Sequence, residues 1–590
     1  MYDFIITFLQ HPPFRMVFIN IISTLLFLII FLIYRFVYPK RNLSYTLILI
    51  GLSVLPLISV LRSGSYESGD INIHVTHLIE FYRSLQSGIL IPRWGGDLNA
   101  TYGYPVFLFL YPLPYYLASL MHFIGFSFLN SIKMLVITTY ISSGLFMYYW
   151  LKKHVGGKSA FIAAVLYLFA PYRMVDMHFR TVVGELTGFA TLPLAFLLID
   201  KVNAKASLYK IVSSGIAIML LILSHPAVAL LGYPVLFIYS LIKSKKNTLS
   251  YAKTFLAHIL GLLYATFYIL PALAEGKYTQ HVFSSKLLPP FPEFWQLFYS
   301  KWRYGLLYQG LNGELSPALG YAQWIIVIIA LYQIIFKRNH NKILILFSFV
   351  FLIYFFLTLE ISLPVWQVIS ILRKIQWQFR ILALLTFLAS ALAAYVFNII
   401  KRESFYYLII FIAIFSTILN WGNRRNTPEI KDPQLIANLP FATSQYAGVP
   451  SAIPIWIPVD RGWEDKIPAD HLESLNGNIK SITQNRNIIE HTYRTELSGK
   501  SILKENTYYF PGWEVMIDGK PVAIDHQNPD YPGIITFNTE KGVHQIEVIF
   551  KDTPVRKYSF YISAMAFLFS GVFLLFNQII LKFFKSLKRP

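Results

Sequence analysis

The chain has 590 residues, of which 55% are hydrophobic and 14% are charged, and its formal net charge is +21. Soluble globular proteins carry about 25% charged residues, so this composition excludes a single soluble enzyme, a disordered chain and an ordinary nucleic-acid-binding domain. The absence of cysteine excludes structural disulfides, iron–sulfur clusters, thiolate zinc sites and cysteine nucleophiles. We therefore predict a polytopic α-helical membrane protein.

Thirteen apolar segments are predicted to cross the membrane. The first is too long for the apolar core of a signal peptide and is followed by Lys40 and Arg41, so we expect it to be retained as a helix. Several others are short for a hydrocarbon core of about 30 Å. The predicted spans cover about residues 14–38, 43–61, 131–151, 159–170, 186–200, 211–223, 226–242, 254–272, 321–336, 343–359, 379–400, 405–420 and 558–581.

Seven clusters of basic residues predict the orientation of these spans. Within the clusters only Asp200 and Glu403 are acidic. Cytoplasmic loops of multi-pass proteins are enriched in Lys and Arg, so we expect all seven clusters on the cytoplasmic side of the plasma membrane. The N-terminus and residues 421–557 then lie outside the cell, and the C-terminus lies inside. The clusters begin at Lys40, Lys152, Lys201, Lys243, Lys337, Lys401 and Lys582.

One apolar segment, residues 104–125, is predicted not to span. Between the basic clusters at Lys40 and Lys152 the chain must cross the membrane an even number of times, yet three apolar segments lie there. Prolines at positions 105, 112 and 114, together with several Tyr and Phe residues, are typical of a broken, interfacial or re-entrant segment. We therefore expect juxtamembrane helices in this first outer loop.

Residues 421–557 are polar and rich in turn residues, unlike the chain before them. The Asp518-Gly519 pair between two short apolar stretches is a hairpin signal, and the alternation from Gly542 to Phe550 is typical of a strand. We predict a small extracytoplasmic β-sandwich. The chain then divides into a transmembrane domain, residues 1–420, a β-rich domain, residues 421–557, and a C-terminal transmembrane helix with a basic tail, residues 558–590.

The first outer loop contains a candidate functional helix that opens with Asp70, His74 and His77. Its spacing places Asp70 near the helix N-terminus and the two histidines on a related face. One interpretation is a helix cap followed by a solvated face. A zinc site of these three residues is possible by spacing but lacks a further ligand. The third interpretation is a functional surface beside the broken aromatic segment.

Ionisable residues at the outer ends of two later spans form a second group of candidates. Asp176 and Arg180 precede a span that opens with Glu185. Charged groups at such a position are costly unless they bind a ligand or one another, so an Arg180–Glu185 ion pair is the alternative to a binding role. His225 lies between Ser224 and Pro226 in a tight outward turn, for which a simple turn is the alternative.

The segment before the span 379–400 is basic although it faces outward. It contains Arg373, Lys374 and Arg380. Because this charge opposes the usual bias, an anionic ligand such as a lipid phosphate would account for it. The alternative is that these long side chains reach toward the headgroup region without binding a specific ligand.

Taken in chain order, these motifs resemble the GT-C superfamily of membrane glycosyltransferases. They are more similar to the bacterial YfhO-like and pyruvoyl-tetrahydropterin-synthase-related membrane proteins. The resemblance covers almost the whole chain, with two departures: the additional helix at 14–38, and His225-Pro226 where relatives have His-Asn. The matching elements are Asp70, Pro92-Arg-Trp94, Gly103-Tyr-Pro105, Arg180 with Glu185, Leu192-Pro193-Leu194, His225, Gln376-Trp-Gln-Phe-Arg380, Pro511-Gly-Trp513, Asp518-Gly519-Lys520 and Gly542-Val-His544.

The resemblance implies an inverting transfer of a sugar from a polyprenyl-phosphate donor to a glycan, lipid or protein acceptor on the outer face. It implies that Asp70 is the catalytic base and that Arg380, with Arg373 or Lys374, holds the donor phosphate. No cofactor is certain, although some members use a divalent cation, which Asp70 with Asp176 or Glu185 would hold. Donor or acceptor positioning falls to His74, Asp176, Arg180, Glu185 and His225.

Two other classes of function stay open at this stage. A transporter of lipid-linked glycans should have intramembrane charges or paired broken helices in two halves, and neither is clear in the sequence. A non-catalytic envelope assembly protein would keep the helical shell without activity. Trp456, Trp463 and Trp513 are candidates for stacking on sugars, against the alternative that they fill the core of the β-rich domain.

The orientation yields a direct test, because every functional assignment depends on which loops face outward. We expect a reporter fused after Lys153 to be cytoplasmic and one fused near Asn476 to be outside, since cytoplasmic loops carry the Lys and Arg excess. Accessibility of each position to a membrane-impermeant label in intact cells measures this. Labelling at position 153 from outside would contradict the orientation.

Overall fold

The structure is a computed structural model. It describes residues 12–41, 44–244, 247–280, 291–300, 315–422, 425–442, 452–458, 466–477 and 479–586.

Long apolar helices make up most of the chain before residue 420. In chain order the α-helices are α1 (Pro12–Val37), α2 (Tyr45–Leu57), α3 (Ile71–Gln86), α4 (Val106–Phe109), α5 (Leu113–Phe123), α6 (Phe128–Val155), α7 (Gly157–Leu168), α8 (Pro171–Val175), α9 (Val183–Ile199), α10 (Leu208–Ser224), α11 (Pro226–Lys243), α12 (Thr248–Glu275), α13 (Tyr321–Ile335), α14 (Lys342–Leu357), α15 (Leu363–Val368), α16 (Ile381–Ile399), α17 (Glu403–Phe415), α18 (Asp432–Ala437) and α19 (Pro554–Ser586). A π-helical turn, Asp176–Arg180, joins α8 to the segment before α9.

The polytopic helical fold predicted from the sequence is confirmed. Among the described residues, seven helices are each long and apolar enough to cross a membrane, and the count rises to nine if two bent helix pairs are single spans. Four shorter apolar helices, among them α2 and α9, add to these. Each predicted span overlaps one of these helices. The number of crossings stays a prediction, because a 13-residue helix such as α2 is only about 20 Å long.

Helix α16 lies at the centre of the helical bundle. All residues from Ile381 to Phe397 are buried, because α7, α13 and α14 pack around it. Helices α1 and α19, at the two ends of the chain, instead expose most of their apolar side chains, as expected for helices that contact lipid.

The segment 104–125 is broken, as its prolines predicted. Helix α4 has 4 residues and α5 has 11, and Leu110-Tyr111-Pro112 separates them. An 11-residue helix is about 17 Å long, too short for a hydrocarbon core of about 30 Å. The two short helices cover one face of α3, where Phe107 and Tyr115 contact His77. The position of this segment at the membrane interface stays a prediction.

Beyond residue 470 the chain forms two antiparallel sheets. A five-stranded sheet has the order β4-β5-β10-β7-β8, and a three-stranded sheet has the order β3-β6-β9. The predicted Asp-Gly hairpin joins β7 to β8, and both turn residues have positive φ, 51° and 77°, as this type of tight turn requires. The strands are β3 (Leu472–Ser474), β4 (Ile479–Arg486), β5 (Glu490–Leu497), β6 (Ser501–Tyr508), β7 (Trp513–Ile517), β8 (Lys520–Val522), β9 (Ile534–Thr539) and β10 (Gly542–Phe550), preceded by a two-residue pair, β1 (Ser65–Tyr66) with β2 (Asn426–Thr427).

Side chains connect the two sheets. His491 and Tyr493 on β5 both contact one carboxylate oxygen of Glu505 on β6, at 2.9 and 2.8 Å. The Glu505 side chain is fully buried. Burial alone would raise its pKa, but the neighbouring His491 lowers the pKa to about 2. The β-sheet region is therefore confirmed, while its classification as a sandwich and the domain boundaries stay predictions.

The β-sheet region is anchored to the helical bundle by a buried arginine. Arg556, at the start of α19, pairs with Glu275 at the end of α12 at 2.8 Å and donates to the carbonyl of Pro511. Trp94, in the loop between α3 and α4, packs edge-on against Trp513 and also contacts Phe550. Trp513 is therefore buried in a core, which was the alternative to stacking on a sugar. Trp456 packs against Tyr278 and Tyr509, and Trp463 lies outside the described residues.

Candidate functional site

The candidate site is built on the π-helical turn that follows α8. Turns of this kind widen a helix by one residue and are frequent at functional sites. The turn ends at Thr181, whose φ of 56° lies in the left-handed region that a β-branched residue rarely adopts. The preceding residue, Arg180, reaches Glu185 on α9 with its side chain.

Two arginines from distant parts of the chain meet at the carboxylate of Glu185. Arg180 Nη1 lies 3.2 Å from Glu185 Oε1, and Arg380 Nε lies 3.2 Å from the same oxygen. The Glu185 side chain is fully buried, and Arg180 and Arg380 are 7% and 16% exposed. The predicted Arg180–Glu185 pair is therefore present, but it belongs to a larger cluster that also includes Arg380.

A tyrosine and an aspartate complete this buried cluster. The hydroxyl of Tyr172 donates to Glu185 Oε2 at 2.7 Å and accepts from Arg180 Nη1 at 2.9 Å. Asp176 Oδ1 lies 3.3 Å from Arg180 Nη1, one turn away on the same helical segment. Its other carboxylate oxygen is buried and has no hydrogen-bond partner among the described residues.

The loop that carries Asp70 is attached to the same turn through its backbone. The N–H groups of Gly69 and Asp70 donate to the carbonyls of Phe179 and Arg180, both at 2.8 Å. The cap of α3 is supplied by Ser68, whose hydroxyl accepts from the backbone N–H of Ile71 at 3.2 Å. Asp70 occupies the cap position but makes no side-chain capping bond. Its carboxylate is therefore not committed to holding the helix.

The environment of Asp70 adjusts its acidity. Burial raises the pKa of this carboxyl above its ordinary value, and the charges of Arg180 and Arg380 oppose part of that rise. The side chain is half-buried, in contrast to the fully buried Asp176 and Glu185. Asp70 and Arg380 are thus more exposed than the carboxylates of Asp176 and Glu185.

His74 and His225 are both buried, and the solvated helix face predicted as one alternative for α3 is wrong. His74 is 4% exposed and its Nδ1 lies 2.7 Å from the hydroxyl of Tyr115. The ring of Tyr111 packs between the two histidines, with centroid distances of 6.4 and 5.1 Å to His74 and His225. The broken segment between α4 and α5 therefore covers one side of the site.

Arg373 and Lys374 do not join the cluster in this structure. Arg373 donates from Nε to the carbonyl of Trp366 at 3.1 Å and from Nη2 to the carbonyl of Gln367, so its guanidinium is held by its own loop. Lys374 is exposed. Arg380 instead donates to the carbonyl of Ile375 and to the side chain of Gln376, whose φ of 72° again lies in the left-handed region.

The donor set does not fit a metal ion. Among the described residues, no group of three His, Asp or Glu side chains is arranged to hold one. The three residues of the possible zinc site diverge, since His74 contacts Tyr115 whereas His77 contacts Tyr104. A divalent cation would need Asp176 or Glu185, and both carboxylates are paired with Arg180.

Sequence reasoning missed two buried residues beside the site. Tyr172 bridges Arg180 and Glu185, and a tyrosine at the start of an apolar helix gave no signal for this role. Arg173 is fully buried, and the rings of Tyr167 and Phe189 lie 4.7 and 4.5 Å from its guanidinium carbon. An arginine within an apolar run is itself the signal that could have identified it.

The fold and the site define a class: a polytopic membrane protein with a cluster of buried ion pairs at the ends of its helices. Within that class, the chain belongs to the 6-pyruvoyl-tetrahydropterin synthase related family of membrane proteins, whose model matches residues 107–424. The predicted family is thereby confirmed. Asp70 and the β-sheet region lie outside the matched residues.

Individual relatives and solved structures are more distant. An uncharacterized protein of Lactococcus lactis subsp. cremoris is 22% identical over 251 residues, which are 41% of each chain. The mycobacterial arabinofuranosyltransferase AftD is matched with a TM-score of 0.40 at 14% identity, over 65% of this chain and 27% of AftD. The Archaeoglobus fulgidus oligosaccharyltransferase is matched with a TM-score of 0.39 at 14% identity, over 66% and 54%. These similarities are too low to support an inference about activity.

The ion cluster predicts a large effect of removing its shared carboxylate. Glu185→Gln should lower the free energy of unfolding by about 3–5 kcal/mol, because it removes the carboxylate that pairs with Arg380 and one of the two carboxylates that pair with Arg180. Thermal or denaturant unfolding of the purified protein measures this. The matched control is Glu496→Gln, which removes the exposed pair with Lys480 and should change stability little. Equal effects of the two variants would contradict the proposed importance of the cluster.

Proposed function

We propose that this protein is an inverting glycosyltransferase that moves a sugar from a polyprenyl-phosphate-linked donor to an acceptor on the outer face of the membrane. The proposal rests on one observation above all. A partly exposed carboxylate with no capping role, Asp70, interacts electrostatically with the partly exposed guanidinium of Arg380, which belongs to a buried ion cluster. A base and a phosphate-binding cation are the two groups that this transfer needs.

The reaction assigns one task to each of these groups. Asp70 accepts the proton of the acceptor hydroxyl while that oxygen attacks the anomeric carbon of the donor sugar. The bond between the anomeric carbon and the phosphate oxygen breaks, and the polyprenyl phosphate leaves with both electrons. Arg380 stabilises the negative charge that develops on the departing phosphate. Attack opposite to the leaving group inverts the configuration at the anomeric carbon.

Arg380 is suited to this task because its guanidinium is only partly used. Nε faces Glu185, and Nη1 donates to Ile375 and Gln376. Nη2 has no hydrogen-bond partner among the described residues, so it is available to an incoming phosphate oxygen. Glu185 orients the group from the buried side, which leaves the open side for the donor.

The remaining predicted site residues act through position. Arg180 supplies the backbone carbonyl that holds Asp70 and pairs with Glu185. Asp176 pairs with Arg180 from one turn earlier on the same helical segment. His74 and His225 both pack against Tyr111 near Arg180, and we propose that they position the acceptor or the donor sugar. We also propose that residues 421–557 face outward, form a β-sandwich and make up a separate domain.

The first test replaces the proposed base. Asp70→Asn should fold normally, since the cap of α3 is Ser68, and should reduce transfer by about 10²–10⁴-fold. Transfer by the purified protein with a polyprenyl-phosphate sugar measures this. Glu67→Gln, an exposed carboxylate three residues earlier, is the matched control and should retain activity. Normal transfer by a folded Asp70→Asn protein would reject the assignment.

The pH profile offers an independent test of the same residue. A base must be deprotonated to act, so transfer should fall as pH decreases through the pKa of Asp70. Because burial raises that pKa, the loss should occur at a higher pH than for an exposed aspartate. The residual activity of Asp70→Asn should lack this acidic limb. An identical limb in the variant would assign it to another group.

The second replacement concerns the donor phosphate. Arg380→Ala should reduce the apparent affinity for the donor by about 10- to 150-fold, since a hydrogen bond to a charged group contributes about 1.5–3 kcal/mol. Arg373→Ala is the comparison, because that guanidinium is held by carbonyls of its own loop and should have a smaller effect. Donor titrations of both variants measure this. A larger loss of donor affinity in Arg373→Ala than in Arg380→Ala would assign the phosphate contact to Arg373.

A further inference from the structure

A polar cavity lies at the opposite end of helix α3 from Asp70. Its volume is about 220 Å³, and its walls come from three parts of the chain: the last turn of α3, the Gly96-Asp97 loop and the turn between β4 and β5. At roughly 30 Å³ per water molecule, this space would hold about seven waters, which corresponds to one sugar ring with its substituents. The cavity therefore has the size of a single monosaccharide subsite.

The walls of this cavity are fixed against each other by close packing. Gly96 lies so near the β4–β5 turn that an added Cβ would come within 2.9 Å of the backbone carbonyl oxygen of Ile488. The fully buried Glu80 accepts from the backbone N–H of Asp97 at 3.1 Å, which holds the loop against α3. The cavity is thus a built feature between the outer loop and the β-sheet region.

The charges in the cavity favour an anionic ligand. Arg83 is neutralised by its ion pair with Asp97. Arg486 lines the cavity and contacts His471 Nε2 at 2.6 Å, the carbonyl of Thr101 at 3.3 Å and the side chain of Tyr493. The buried Glu505 carboxylate interacts with it electrostatically, but among the described residues no carboxylate forms an ion pair with it. A guanidinium that lines a cavity without an ion-pair partner matches a carboxylate or a phosphate group.

We propose that this cavity binds one sugar unit of the acceptor that carries an anionic substituent, with Arg486 as the contact to that substituent. The assignment to the acceptor rests on the proposed transferase function. Helix α3 has 16 residues and is about 24 Å long, with Asp70 at its start and Ser87 just after its end. An extended anionic glycan lying along α3 would therefore place one unit in this cavity and a distant hydroxyl at Asp70.

Ligand binding can be measured without any donor, on the full-length protein in lipid nanodiscs. The probes are glucuronate and glucose 6-phosphate, compared with glucose and with inorganic phosphate, by saturation-transfer NMR or calorimetry. We expect one or both anionic sugars to bind at least fivefold more tightly than glucose and than phosphate. Which of the two binds identifies the substituent. If glucose binds as tightly as the anionic sugars, the proposed role of the negative charge is wrong. If inorganic phosphate binds as tightly as they do, the cavity does not recognise the sugar ring.

Three variants locate the binding. Arg486→Gln should weaken it at least fivefold, whereas Arg494→Gln, an exposed arginine on neighbouring β5, is the matched control and should not. Because Arg486 also contacts His471, a second variant, Asn487→Trp, fills the cavity from an exposed turn position and should also block binding. Unchanged binding in both cavity variants, or equal loss in Arg494→Gln, would overturn the proposal.

The two proposals fail in distinguishable ways. Asp70→Asn should bind the anionic sugar like the wild type, because Asp70 lies at the other end of α3. If binding is found and no donor supports transfer by the wild type, the cavity stands as a glycan site and the transferase proposal falls. If transfer is found but the anionic sugars do not bind, the cavity proposal falls alone.

Discussion

The candidate site depends on one buried negative charge. Glu185 lies in an apolar helix, where a carboxylate is stable only with cationic and hydrogen-bonding partners. Arg180, from the π-helical turn, and Arg380, from the segment before α16, both supply them. The carboxylate thereby holds together two segments that are 200 residues apart in the chain. The backbone N–H of Asp70 donates to the backbone carbonyl of Arg180, so the position of Asp70 depends on the segment that pairs with Glu185.

The sequence predicted those features that depend on local composition. The lengths of the apolar segments predicted the helices, because hydropathy is a property of each segment alone. The prolines of residues 104–125 predicted the break between α4 and α5. The Asp518-Gly519 turn was predictable because few residue pairs tolerate two positive φ angles in succession. The Arg180–Glu185 pair was open to prediction because the two residues are only five positions apart.

The sequence could not predict the contacts made across the fold. The pairing of Arg380 with Glu185 joins residues that no periodicity relates, and only the family resemblance had placed both in one site. The histidines of α3 looked solvated because the segment that covers them comes 30 or more residues later, with Tyr115 bonded to His74. The bridging role of Tyr172 and the left-handed backbone at Thr181 depend on that same packing and leave no local signal.

The strand order of the large sheet has a consequence for how the protein is made. Strand β10 lies in the middle of that sheet, between β5 and β7, yet it is the last strand to be synthesised. Until residue 550 has been synthesised, β4-β5 and β7-β8 are two separate hairpins with exposed edges. Trp94 also lacks its contact with Phe550 during that interval. The packing of the loop that follows α3 is therefore completed only after β10 has been synthesised.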